Sequence, residues 1–148
     1  MIDKKKIFLG FFVGLLLAQF IQTDKSTPEI ISESTFNSIN QPPAHLQKAL
    51  KAACYDCHSY ETKYPWYTYV APVSWWIKGH VKNGRKRLNF SKWASIEAED
   101  IKHIFHECAE EIESGHMPPK GYVRMHAEAD LSPEIRQELI TWLNARSR

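Results

Sequence analysis

Cys54-Tyr55-Asp56-Cys57-His58 constrains this chain of 148 residues more than any other stretch. The pattern C-x-x-C-H is that of covalent c-type haem attachment. Two thiols at this spacing add across the vinyl groups of one macrocycle, and the histidine that follows reaches the iron from one face. A second ligand from elsewhere in the chain then decides between electron transfer and small-molecule chemistry. A chain of this kind folds around its cofactor.

Other uses of the same residue types fit less well. A thioredoxin-like pair opens the helix of a βαβ unit, and this sequence lacks strand–helix alternation. A structural zinc site needs a second ligand pair, and the only other cysteine, Cys108, stands alone. In an oxidising compartment Cys54 and Cys57 are also a disulfide candidate, which is the strongest rival reading. His58, directly after Cys57, favours haem.

The N-terminus bears on the compartment. Lys4, Lys5 and Lys6 precede the uncharged run Ile7 to Ile21. A basic start followed by an apolar core is an export design. Fifteen residues lie between a signal-peptide core and a bilayer span of about 20 residues. Gln19 and Phe20 spoil a small-x-small cleavage site, and no lipobox cysteine follows. Residues 1–22 therefore read as a membrane anchor or signal segment, the anchor preferred, with the lysines keeping the cytoplasmic side. Residues 23–41 are polar and non-periodic and read as a tether. Residues 42–148 are expected to form the haem-binding domain.

Charge excludes one class of partner. The chain carries 19 basic and 17 acidic residues; without the three lysines and one aspartate of residues 1–22, 16 of each remain. An exported part this neutral offers no electrostatic case for nucleic-acid binding. The cluster Lys82, Arg85, Lys86 and Arg87 reads as the solvated end of a helix. A lesser alternative sets Arg85 or Lys86 against a haem propionate or an acidic partner.

The periodicity predicts an all-α domain with four main helices and long loops. Leu46, Ala49, Leu50 and Ala53 mark a helix that begins near Pro43 and runs into the motif. Tyr60 to Tyr69 is aromatic and non-periodic, broken by Pro65, and suits a loop laid on a porphyrin face. A second helix follows Pro72, with Val73, Trp76, Ile77, His80, Val81 and Gly84 as its expected stripe. A third covers about Ile96 to Ser114, burying Ile101, Ile104, Phe105, Cys108, Ala109 and Ile112 and stopping at Gly115. The last starts at Ser132-Pro133 and buries Ile135, Leu139, Trp142 and Leu143. A helical core this small gains much of its apolar contact from a buried cofactor, so the apo form is expected to fold poorly.

Met117, in the loop His116-Met117-Pro118-Pro119, is the expected distal ligand: a soft thioether in a proline-stiffened segment 59 residues beyond His58. His80 is its main competitor, and His116, Met125 and His126 are weaker ones. His103 and His106 fall on the polar side of the third helix. Cys108 reads as a small buried hydrophobe.

The order C-x-x-C-H-S, Tyr64-Pro65-Trp66-Tyr67, Ala71-Pro72-Val73-Ser74-Trp75-Trp76, His80, Gly84-Arg85, Leu88-Asn89-Phe90-Ser91, Met117-Pro118 and Tyr122 resembles the bacterial haem-binding domain family. That family comprises small exported proteins, and the resemblance spans about residues 40–145. It implies haem binding at Cys54, Cys57 and His58, and says less about what the haem does. A looser likeness is to class I cytochromes c, which share the helix before C-x-x-C-H, a later methionine loop and a C-terminal helix. The aromatic insertion and the Trp75-Trp76 helix depart from that pattern.

The expected function is that of a membrane-tethered monohaem c-type cytochrome at the inner membrane, facing the periplasm. It would carry single electrons between redox partner proteins. One covalent haem c is held by Cys54 and Cys57, with His58 proximal and Met117 distal. No catalytic triad, paired-carboxylate site or glycine-rich phosphate loop suggests a separate catalytic centre. The alternative is a haem-based sensor or peroxidase-like enzyme with an exchangeable sixth ligand, in which His80 or Arg85 would serve on the distal side.

Overall fold

In the computed structural model, which describes residues 3–148, all secondary structure is helical. The elements are α1 (Lys4–Ala18), α2 (Phe36–Asn40), α3 (Ala44–Ala53), α4 (Tyr55–His58), α5 (Val73–Arg87), α6 (Ala98–Glu113), α7 (Lys120–Met125) and α8 (Pro133–Asn144). Short 3₁₀ turns occur at Ser32–Ser34, Trp66–Tyr69, Phe90–Ser95 and Ala127–Ala129. The expected all-α class holds. The four main helices are α3, α5, α6 and α8, and the loops between them carry further short turns.

Local chemistry explains where the main helices begin and end. Glu99 and Asp100 place carboxylates in the first turn of α6, where they complement the helix dipole. Gly115 stops the helix in the left-handed region, at φ +73°. Ser132 caps α8, its hydroxyl accepting the Ile135 N–H at 3.3 Å, with Pro133 in the first turn. The apolar faces of α6 and α8 pack on one another, Phe105, Ala109 and Ile112 meeting Leu139, Ile140 and Leu143. Leu46 and Leu50 of α3 complete this core.

Phe36 moves the domain boundary. It lies in the segment read as tether, yet it is 1% exposed at the centre of the aromatic core. Phe90 and Trp93 meet it edge-on at 4.9 and 4.7 Å, with Phe105 and Trp142 about it at 6.0 and 5.9 Å. The folded unit therefore begins before residue 42. Residues 19–25 are also laid against the domain. The Gln19 amide donates to the Ala71 carbonyl at 3.0 Å and accepts the Ala71 N–H at 2.9 Å. Lys25 Nζ sits 3.8 Å from the Tyr69 ring centroid.

Two sequence expectations are corrected here. On α5 the buried residues are Ser74 and Val81, while Val73, Trp76 and His80 face outward. Val81 and Gly84, both of the expected stripe, do face the domain, Gly84 against α4, so the stripe is narrowed to its C-terminal half and not replaced. As for α1, none of its residues is buried, and no described helix is long and apolar enough to cross a membrane.

Candidate functional site

The motif is presented on α4, one turn wound around its own first residue. Cys54 ends α3 by donating its N–H to the Leu50 carbonyl at 2.9 Å, and its carbonyl accepts the N–H groups of Cys57 and His58 at 3.2 and 3.0 Å. A helix this short does not hold by propagation. Groups from three surrounding segments clamp it. The Tyr122 hydroxyl donates to Asp56 Oδ2 at 2.8 Å, and Asp56 Oδ1 accepts the Lys63 N–H at 2.9 Å. Thr62 Oγ1 donates to the Asp56 carbonyl at 2.7 Å. Arg85 donates from Nε to the Ser59 carbonyl at 2.7 Å and from Nη2 to Thr62 Oγ1 at 2.8 Å. Arg85 is therefore engaged in positioning the motif. Its role was not legible in the sequence, where it read as one of four basic residues at a helix end.

Gly84 brings α5 onto this turn. A Cβ at Gly84 would lie 2.6 Å from the Cys57 carbonyl oxygen, and that atom is backbone. Alanine is the better helix former by about 1 kcal/mol, so Gly79→Ala, with nothing within 4 Å, should hold or raise stability. Gly84→Ala on the same helix should instead cost about 1–3 kcal/mol through overpacking and lower the yield of haem-loaded protein. Denaturant unfolding of the pair, with haem yield per polypeptide, checks the contrast; equal behaviour would remove the close approach as the reason for glycine.

His58 is oriented by one hydrogen bond. The Leu88 carbonyl can only accept, so Nδ1 donates to it at 3.2 Å and Nε2 carries the free lone pair. Burial holds the imidazole below its usual proton affinity, so it stays neutral, the ligand-competent form. Burial acts on the thiols in the opposite sense. Cys54 is pushed up to about 12 by burial and then by Cys108 and Cys57, and Cys57 is also raised, burial being the main cause. A redox-active pair needs a depressed thiol pKa, and these cysteines lack it. Among the described residues no group of three or more His, Cys, Asp or Glu side chains is placed to hold a metal ion.

A cavity of about 450 Å³ opens beside the motif. Cys54, His58 and Met117 all line it, although Met117 arrives from beyond the end of α6. The methionine loop is fixed by the Met117 N–H donating to the Glu111 carbonyl at 3.0 Å and by Arg136 Nη1 on the Met117 carbonyl at 3.4 Å. Cys57 is not among the lining residues; its backbone abuts α5. Phe36, Leu50, Phe90, Trp93, Phe105 and Ile112 are among its apolar walls, and Arg87, Glu107, Glu110 and Glu111 are its charged lining. Apolar walls of this kind suit a flat macrocycle. The Trp93 indole N–H is buried without a partner, and it and Arg87 are donors suited to the anionic groups of haem. The residues present fit the cofactor that the motif implies.

The other candidates lie elsewhere. His80 is exposed on α5, its Nδ1 donating to the Trp76 carbonyl at 3.0 Å, and it does not line the cavity. His116 and Met125 are exposed, and His126 is engaged with the Tyr122 carbonyl and the Tyr67 hydroxyl. His103 and His106 pair with Glu107 and Glu110 on the outer side of α6. Cys108 lines the cavity as a partly buried thiol, pushed up to about 12 by burial. The aromatic stretch from Tyr60 to Tyr69 contributes no ring to the cavity. The rings there come from α2, the 3₁₀ turn Phe90–Ser95 and α6, which periodicity in a single segment does not reveal. A second groove, of about 440 Å³, shares Arg87, Leu88 and Ile104 with the first and carries Lys78, Lys82, Lys86 and Lys92.

Compared with known proteins, the chain matches a family model described as a haem-binding domain over residues 13–145. Neither the comparison with curated proteins nor that with solved structures gave a match.

Proposed function

The chain belongs to the haem-binding domain family, and from that premise we propose that it is a monohaem c-type cytochrome carrying single electrons at the periplasmic face of the inner membrane. The observation that carries this reading is the single cavity walled by Cys54, His58 and Met117. Haem bound there supplies an iron centre that moves between ferrous and ferric states. Cys54 on the cavity wall and Cys57, one turn on along α4, would hold it through thioether links. His58 offers Nε2, its ring held in one orientation by Leu88. Met117, which lines the same cavity, would offer its thioether sulfur as the second ligand. The apolar walls would limit the charge rearrangement that accompanies a one-electron change. Lys4 to Lys6 ahead of the apolar run support export, and the exposed apolar side chains of α1, a helix too short to cross a membrane, support attachment to it.

Protein matured in cells with the cytochrome c assembly machinery should retain haem after denaturation and show a mass increase of one haem. Cys54→Ala combined with Cys57→Ala should lose covalent haem entirely. Recovery of only a Cys54–Cys57 disulfide under those conditions would overturn the cytochrome reading.

A further inference from the structure

We propose that the haem domain itself lies against the lipid surface through an aromatic patch at the root of α1, so that two elements bind the bilayer. This rests on the reading of α1 as membrane-embedded. The patch is built by the turn Trp66–Tyr69 and the first turn of α5. Trp66 is 77% exposed and Trp76 63%, and Tyr69, Val70 and Val73 beside them are exposed as well. The core closes without any of these side chains, so an apolar surface of this size calls for an external occupant. Tryptophan and tyrosine pair an apolar ring with one polar atom, which places them at the membrane–water boundary.

The position of the patch selects lipid as that occupant. Residues at the end of α1 are joined to it by several hydrogen bonds. Besides the two-way pairing of Gln19 with Ala71, the Trp75 indole N–H donates to the Ile21 carbonyl at 2.8 Å, and the Gln22 amide donates to the Tyr69 carbonyl at 3.3 Å. No residue of α1 is buried, and exposed Phe20 and Ile21 follow it towards the segment that is hydrogen-bonded to the patch. At 1.5 Å per residue, α1 is about 22 Å long, against a hydrocarbon thickness of about 30 Å. A segment this short draws flanking groups into the interface, and here the flanking groups are the patch. Lys25 over the Tyr69 ring and Lys78, which donates to the Asp24 carbonyl, place cations beside the rings at headgroup level. The domain would therefore be held in one orientation on the membrane and not swing on a tether.

Photolabelling of the full-length, haem-loaded protein tests this. The protein is reconstituted in phosphatidylethanolamine–phosphatidylglycerol vesicles containing a lipid with a diazirine in its acyl chain, and adducts are mapped by mass spectrometry. Adducts are expected in α1 and also between Trp66 and Trp76. Trp66→Ser with Trp76→Ser, both changes at exposed positions, should keep the α1 adducts and reduce those at Tyr69 to Val73 to background. Adducts in α1 with none in the patch would overturn the proposal and leave the membrane reading standing. Adducts in neither would overturn both. In a parallel sample treated with a bifunctional protein crosslinker, crosslinks joining the patches of two copies in place of lipid adducts would assign the surface to a dimer and overturn it as well.

Discussion

Met117→Ala should abolish the weak far-red absorption that sulfur ligation gives the ferric protein, lower the reduction potential and open the sixth position to carbon monoxide. Thioether sulfur is a soft ligand that favours ferrous over ferric iron. Its loss should shift the potential on the order of tenths of a volt, within the ~0.8 V over which axial ligands act. The structure supports the choice of residue, since Met117 and His58 line the same cavity while His80 lies outside it. His80→Ala should accordingly leave the far-red band and the potential unchanged. Spectra, a redox titration and carbon monoxide binding measure all three effects. Ready carbon monoxide binding by the unaltered protein, with no change on Met117→Ala, would reject the electron-carrier assignment. The sensor or peroxidase-like reading would then lead, with its distal group sought among the cavity's own residues.

Phe36→Ala should cost about 3–5 kcal/mol of stability, the range for truncating a buried phenylalanine, and lower the Tm by roughly 10–20 °C. The ring sits among Phe90, Trp93, Phe105 and Trp142, and it also lines the cavity. Its removal leaves a void on both sides of one wall, so haem retention by the non-covalent contacts should weaken too. Ile39→Ala, at an exposed position of the same short helix, should change stability by less than about 0.5 kcal/mol. Denaturant unfolding of the haem-loaded forms provides the comparison. An unchanged midpoint for Phe36→Ala would place α2 outside the cooperative unit and restore the boundary near residue 42.

These two side chains also show what was legible in the sequence and what was not. Met117 stands out from its immediate neighbours alone, because a methionine in a proline-rich loop after a helix stop is a local pattern. Its sharing of a cavity with His58 depends on how α6 crosses the domain, and no local pattern records that. Phe36 stands in a polar, non-periodic stretch, and α2 is too short to display a helical repeat. Only its neighbours in space identify it as core.

By itself, the sequence determined the features that follow from nearest-neighbour chemistry and helical period. These are the all-α class, the buried faces of α3 and α6, the stop at Gly115, the cap at Ser132 and the C-x-x-C-H motif with its adjacent histidine. Each is encoded within a few residues along the chain. The tertiary structure decided how much of the α5 stripe is buried, because the approach of Gly84 to the Cys57 carbonyl is a contact between segments 27 residues apart. It also decided that Arg85 clamps the motif, that the aromatic loop stays off the cavity and that the segment before residue 42 completes the core. Those outcomes are set by mutual packing and by the hydrogen-bonding needs of a one-turn helix, and neither leaves a periodic trace in the residues concerned.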